Sequence, residues 1–189
     1  MRRLPLFAMI CLAAGGCSER QDQGNASVNE VAAPAAPQAE APLPPVEPIP
    51  PGRPGGLPDD RTPVSEAPFT PTSAQGAANV VQTWFALLES GRGADAKSAW
   101  RDPATADAFV KSLGDPREVH AQIGSPGAIE GAAGSLFVEV PVQVYGRARD
   151  GSPFSKLGTA TLRRVNDVPG SSPEQRSWHI DSIAVRPAG

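Results

Sequence analysis

The chain has 189 residues, a net charge of −3 and 22 prolines, about 12% of its length against a usual share of about 5%. The weakly acidic charge argues against a nucleic-acid-binding protein, and no run of ~20 apolar residues predicts a transmembrane helix. Both cysteines, Cys11 and Cys17, lie near the start of the chain, which argues against a disulfide framework.

Residues 1–16 have the order of a secretory signal peptide. Arg2 and Arg3 form a positively charged start, residues 4–14 form a short apolar stretch, and two glycines then precede Cys17. The apolar stretch is too short to span a bilayer. We therefore predict that the chain is exported.

The tetrad Ala14-Gly15-Gly16-Cys17 resembles the lipobox of bacterial lipoproteins. The resemblance implies that the Cys17 thiol is acylated, that the signal peptide is removed, and that membrane lipid is the first partner of the chain. Ser18 stands after the cysteine where Asp would favour retention at the inner membrane, so the resemblance implies the periplasmic face of the outer membrane. The alternative is an ordinary signal peptide with a chance cysteine.

A proline-rich segment follows. Residues 18–75 contain 13 of the 22 prolines, with three basic and eight acidic side chains, and the first aromatic residue after the signal is Phe69. So little apolar surface cannot offset the entropy of ordering the backbone. We predict a disordered Pro/Ala-rich tether over residues 17–74 and a folded domain over residues 75–189. The tether is read as a spacer, with a docking peptide for a proline-recognising groove as the alternative.

The folded domain starts with a helical pattern. Thr72 or Ser73 can cap the helix, and Gly91 is placed to end it. Its apolar positions recur at helical spacing, at Val81, Trp84, Phe85 and Leu88.

Two further helices are predicted. A short one spans Ala94–Trp100. The next starts at Pro103 behind the cap residue Asp102 and closes at Gly114. Its apolar positions are Ala106, Phe109, Val110 and Leu113.

From residue 117 the period becomes that of strands. We predict strands over 118–123, 135–148, 154–165 and 177–186, with loops between them, one of which holds Gly131 and Gly134. The second strand alternates strongly, with its even-numbered side chains on one buried face. Pro141 lies on the other parity, which places that position at an edge or a bulge.

The last strand changes parity. Its apolar residues shift from even positions, ending at Ile180, to odd positions, starting at Ile183. This pattern predicts a bulge or burial on both faces.

Helices followed by an antiparallel meander predict an α+β fold. The opening helix with Trp84-Phe85, a helix ending at Ala99-Trp100, a Pro-started third helix and a final strand with Trp178-His179-Ile180 resemble the NTF2-like (SnoaL-type) cone. The resemblance implies three helices packed on a curved antiparallel sheet. It also implies a fold whose members often dimerise through the sheet and, where they are enzymes, place Asp and His in the cone.

Few residues indicate chemistry. No GxxxxGK, GxSxG, HExxH or CxxC motif occurs, and we predict neither a cofactor nor a metal. His120 and His179 both fall on predicted strands, where a structural role is the simpler interpretation. His179 and Asp181 alternate on one strand and would form an acid–base dyad if their face lined the cone.

Two side-chain groups are candidates for binding. The aromatic residues are interpreted as core, with a ligand pocket as the alternative: Trp84, Trp100, Phe109, Tyr145 and Trp178. Four arginines are expected to cluster around a turn, either as a solvated edge or as a contact surface for anions such as cell-wall polymer or lipid head groups: Arg147, Arg149, Arg163 and Arg164.

The function predicted from these features is that of a membrane-tethered periplasmic lipoprotein, with a domain that acts as a binding or scaffold module of the cell envelope. Its expected partners are an envelope protein or polymer, or a second copy through the sheet. Two alternatives remain. One is an NTF2-like hydrolase or isomerase that acts on a small hydrophobic substrate through His179 and Asp181. The other is an envelope assembly factor that pairs through its sheet.

Overall fold

The computed structural model describes residues 43–60 and 69–188. The predicted signal peptide, Cys17 with its lipobox, and residues 18–42 and 61–68 of the predicted tether lie outside the described residues. Within the part that is described, no helix is both long and apolar enough to cross a membrane.

The helices lie at the start of the domain. They are α1 at Ala74–Glu89, α2 at Gly93–Ala96 and α3 at Pro103–Ser112, with a 3₁₀ turn at Lys97–Ala99 directly after α2. All three were predicted from spacing and punctuation. The predicted helix up to Trp100 instead tightens into the 3₁₀ turn, and Trp100 forms an isolated bridge to Ile180.

Local sequence explains where these helices begin and end. The Ser73 side chain accepts a hydrogen bond from Gly76 N, and the Asp102 side chain accepts one from Ala104 N, so each satisfies a free amide of the first turn. Pro103 occupies the first turn of α3, where its missing N–H costs nothing. Gly114 follows α3 with φ of +88°, a conformation that suits glycine.

The strands form one open antiparallel sheet in the order β1-β3-β4-β5. They are β1 at Glu118–Ile123, β2 at Glu130–Ala132, β3 at Ser135–Arg147, β4 at Pro153–Val165 and β5 at His179–Pro187. The short β2 pairs with the first residues of β3, on the side of β3 that β1 occupies further along. Helices on one face of this sheet confirm the predicted α+β class.

The predicted irregularities are present, and one strand was missed. Pro141 faces the interval between β1 and β2, where its carbonyl accepts from Gly124 N and no ladder bond requires its N–H. Asp181 is the extra residue of a bulge, because Ile180 pairs with Leu162 whereas Ser182 pairs with Thr161. The prediction that Gly131 lies in a loop is wrong, since it belongs to β2. Three exposed residues are too few to show a period.

The core lies between the helices and one face of the sheet, here called the inner face. The four even-numbered valines of β3, from Val138 to Val144, are fully buried there, as are Leu162 of β4 and Ile180 of β5. Trp84 is the centre of the aromatic contacts, with ring centroids 4.5 Å from Phe85, 5.3 Å from Trp100 and 5.7 Å from Phe109. These edge contacts fill the space where a cone cavity would lie.

Residues 43–60 differ from the disordered tether that composition predicts. This segment, here called the strap, lies against the opposite face of the sheet, the outer face, and Leu57 retains only 4% exposure. A turn of three backbone hydrogen bonds closes its middle: Gly52 N to Leu57 O, Arg53 N to Pro50 O, and Gly56 N to Arg53 O. Composition does not predict the strap, because residues 43–60 are ordered by contacts with the outer face of the sheet and not by their own apolar surface.

Candidate functional site

The strap is held by side chains of β3 that contact its main chain. The Gln143 side-chain amide is assigned with its nitrogen and oxygen in the orientation that gives both atoms hydrogen-bond partners. In that orientation the nitrogen donates to Ile49 O and the oxygen accepts from Ile49 N, each at 3.0 Å. The same group contacts Gln122 Oε1 at 3.2 Å and Ser155 Oγ at 3.1 Å. Gln143 is fully buried, and these contacts satisfy its polar atoms.

Two further contacts fix the ends of the strap. The Arg147 guanidinium donates to the carbonyl of Pro44. Leu57 is the apolar anchor, and it lies beside Gly124 and Pro141, in the interval between β1 and β2. The outer-face surface that contacts the strap is here called the strap face. The strap face contacts main-chain groups of the strap at Pro44 and Ile49 and an apolar side chain at Leu57.

Charged groups beside the strap face form a chain of contacts. Arg147 Nε lies 3.6 Å from Glu118 Oε2, and Glu118 Oε1 lies 2.7 Å from His120 Nε2. His120 Nδ1 is 3.4 Å from a carboxylate oxygen of Glu89, at the end of α1. His120 therefore links two carboxylates, and the structural interpretation of this histidine fits its surroundings.

Tyr145 completes this group. It pairs with His120 across β1 and β3, with ring centroids 5.4 Å apart. Burial raises the pKa of the Tyr145 phenol above its ordinary value, and the negative charge of Glu89 raises it further. As an odd-numbered residue of β3, Tyr145 lies on the outer face and is only half-buried, unlike the other four candidate aromatic residues, which are buried in the core.

A second site lies at the other end of the sheet, where β4 ends and β5 begins. This sheet-end groove has a volume of about 540 Å³. Polar and charged residues outnumber apolar ones in its lining: Ser98, Trp100, Arg101, Pro103, Arg163, Arg164, Val165, Glu174, Gln175 and His179. Three candidate residues from the sequence, Arg163, Arg164 and His179, are thus brought together.

Two of the groove's arginines are held in place by their own neighbours. Arg163 donates from Nε and Nη2 to Ser135 Oγ, at 3.1 and 2.9 Å, and lies 5.6 Å from the Phe137 ring centroid. Arg164 lies 5.4 Å from the Trp178 ring centroid and donates to the Arg176 carbonyl. Stacking and hydrogen bonding restrict both guanidinium groups before any ligand arrives.

The predicted His179–Asp181 dyad is not formed. Asp181 Oδ1 lies 2.6 Å from Arg101 Nε as an ion pair, whereas His179 Nδ1 lies 3.1 Å from the Ser177 carbonyl. The reason is the bulge at Asp181, which breaks the simple alternation that would place both side chains on one face. His179 lies opposite Arg163 and lines the open groove, outside the aromatic core.

The expected cluster of four arginines is also wrong. Arg147 pairs with Pro153 at the β3–β4 turn, and Arg149 belongs to that turn. Arg163 pairs with Phe137 at the far end of the same hairpin. The strands are so long that their two ends are separated by most of the sheet. Arg149 is therefore not part of the groove.

Sequence reasoning missed the strap face and the groove's remaining lining. Gln143 alternates with valines and reads as a solvated position, and Ile49 lies within the proline-rich segment. The one sequence feature that indicates an ordered strap is the run Pro50–Leu57, in which turn-forming residues are followed by a single large apolar side chain, Leu57. Among the described residues, no group of three or more His, Cys, Asp and Glu side chains could hold a metal ion.

Comparisons with known proteins identify no family. No protein-family model matches the sequence, and no curated protein matches it significantly. The chain is similar to a solved structure described as a periplasmic fragment of TraM, with a TM-score of 0.43 and 14% identity over 64% of this chain and 100% of that chain.

Proposed function

We propose that this chain is a lipoprotein of the cell envelope, anchored through Cys17, whose NTF2-like domain acts as a binding module for extended proline-rich segments. The observation that carries the binding role is the strap on the outer face of the sheet. Its chemistry defines what the strap face accepts: an extended segment that presents main-chain groups to Gln143 and Arg147 and an apolar side chain beside Gly124.

Proline suits such a ligand for a physical reason. A proline-rich segment is already extended, so little conformational entropy is lost when it binds. Proline lacks an N–H, so it suits the position that Arg147 contacts, where only a carbonyl accepts, whereas the position that Gln143 contacts requires a residue with an N–H, as Ile49 has. The contact from Arg147 to the carbonyl of Pro44 is of the first kind. We propose that a proline-rich segment of an envelope protein competes with the strap for the same face.

The length of free chain between the anchor at Cys17 and the domain depends on whether the strap is bound. When it is bound, residues 18–42 separate Cys17 from the strap, and about 25 residues reach at most ~80 Å as an extended polyproline helix. Release of the strap would add the length up to residue 73, about 56 residues in all, and more than double that limit to ~170 Å. Exchange of the strap for a partner would therefore also extend the reach of the domain.

The binding role is tested by moving the strap between molecules. In a full-length variant, residues 43–60 are replaced by a Gly/Ser segment of equal length, and a fluorescent peptide of residues 43–60 is titrated against it. We expect saturable binding to this variant and much weaker binding to the wild type, whose own strap competes. The matched control is the same peptide with Leu57→Asp. Equal binding of the two peptides, or none of either, would refute the role.

The anchor is tested in cells. Cys17→Ala should move the protein from the membrane fraction to the soluble periplasmic fraction, because the variant lacks the residue on which the proposed acyl chains are carried. Cys11→Ala is the control, since that residue lies inside the predicted signal peptide. Membrane partition of Cys17→Ala equal to that of the wild type would contradict lipid anchoring and leave the binding role untouched.

A further inference from the structure

Two hydrogen-bond donors lie behind the wall of the sheet-end groove, and nothing in the described structure accepts from them. Trp100 Nε1 and Arg164 Nε are both buried and have no hydrogen-bond partner, and both residues line the groove. Trp100 itself is only 3% exposed. A buried N–H without a partner costs about 1–3 kcal/mol, so two of them beside one open groove are unusual in a folded protein.

The chemistry of these donors restricts the ligand. An indole N–H and a guanidinium N–H donate and never accept, so the ligand must supply acceptor oxygens. Arg163 and Arg164 add positive charge, and Glu174 is the single carboxylate in the lining. Arg101 is neutralised in part by Asp181, which lies 2.6 Å away. The balance favours an oxyanion over a neutral acceptor.

The size of the groove restricts the rest of the ligand. About 540 Å³ is far more than one oxyanion fills, and it falls in the range of small-molecule sites. Trp100, Pro103 and Val165 supply apolar surface beside the cations. A ring of the size of a sugar, with one acidic substituent, matches both parts of this lining.

We infer that the sheet-end groove binds an acidic, sugar-sized unit, with its carboxylate or phosphate oxygens on the Arg163 and Arg164 guanidinium groups and, once the ligand has displaced the side chains that cover it, on Trp100 Nε1. The site is separate from the strap face and does not depend on it. Because Arg163 and Arg164 are already held by Ser135 and Trp178, the ligand meets cations that are largely in position. Less side-chain entropy is then lost on binding.

Indole N–H resonances provide a direct test in the full chain. The three tryptophans give three such signals in a ¹⁵N-labelled sample, and Trp100→Phe assigns the one in the groove. Glucuronate, glucose 6-phosphate and neutral glucose are titrated separately. We expect a saturable shift of the Trp100 signal with at least one acidic sugar and none with glucose. Whether glucuronate or the phosphate saturates identifies the oxyanion.

Substitutions then locate the site. Arg164→Gln should weaken binding at least tenfold, and Arg163→Gln provides a second variant if the first does not fold. The matched control is Arg149→Gln, which removes an arginine at the opposite end of the hairpin and should bind as the wild type does. The inference is overturned if neither acidic sugar gives a saturable shift, if glucose binds equally well, or if binding survives both groove substitutions.

Discussion

The carboxamide of Gln143 and the main-chain N–H and C=O of Ile49 form a closed pair of hydrogen bonds, each 3.0 Å long. Gln143 belongs to the centre of β3, whereas Ile49 belongs to a segment that composition assigns to a disordered tether. A primary amide offers one donor and one acceptor to the N–H and C=O of a single residue, so this pairing accepts the backbone of any residue except proline. The pair joins the strap to the folded domain.

Removal of one half of this pair should release the strap. Gln143→Leu leaves the Ile49 N–H and C=O without partners, at a cost of about 1–3 kcal/mol for the buried groups. We expect faster proteolysis within residues 43–60, measured by mass spectrometry, with the helices and sheet retained. The control is Glu139→Leu, an exposed residue on the same strand. Equal protection of the strap in both variants would show that the pair contributes nothing.

The apolar anchor allows a comparison within one residue type. Leu57 is 4% exposed and Leu43 is 55% exposed, although both belong to the strap. Leu57→Ala should destabilise the bound strap by roughly 2 kcal/mol, at the low end for a buried leucine because the site can collapse. Leu43→Ala should change strap protection by less than ~0.5 kcal/mol. Hydrogen exchange at Gly52 and Gly56 measures both effects. A similar change in the two variants would contradict the anchor.

Tyr145 is the only tyrosine in the chain, so its titration can be followed in the whole protein by tyrosinate absorbance. Burial and then the charge of Glu89 raise its pKa above 10.0. The folded state therefore holds this proton more tightly than the unfolded state. The stability linked to it is complete below about pH 10 and is lost as the pH rises through the folded-state pKa.

Removal of the Glu89 charge separates the two causes of the raised Tyr145 pKa, burial and the negative charge of Glu89. Glu89→Gln should lower the Tyr145 pKa part of the way towards 10.0, because burial, the larger cause, remains. Glu139→Gln removes a carboxylate elsewhere on the outer face and should leave the titration unchanged. A midpoint in the Glu89 variant at or above that of the wild type would contradict the electrostatic contribution.

Gly158 of β4 is required for the approach of β5. A Cβ atom at this position would lie 1.9 Å from Ala184 O and 2.7 Å from Val185 Cα, so the backbone of β5 would have to move. Gly158→Ala should lower the free energy of unfolding by about 1–3 kcal/mol, as overpacking does. Gly131→Ala in β2 meets its nearest atom at 3.7 Å and is the matched control. Urea denaturation of both variants decides whether the contact is as close as described.

Local sequence determined the elements of this protein apart from the short strand β2. The caps at Ser73 and Asp102, the Pro103 start of α3, the alternation in β3 and the parity change before Ile183 were all predictable. Each depends on neighbours within a few residues, where side-chain period and backbone preference act directly. The α+β class followed from the order of these elements alone.

The tertiary structure decided the two sites. Composition indicates that residues 43–60 have too little apolar surface to fold, and that argument holds for the segment alone. It fails once β3 supplies Gln143, Arg147 and a place for Leu57, because the interactions then come from residues far along the chain. Strand register likewise separated Arg147 from Arg163 and grouped Arg163 with His179. Pairing between distant residues is set by packing of the whole core, which no local pattern encodes.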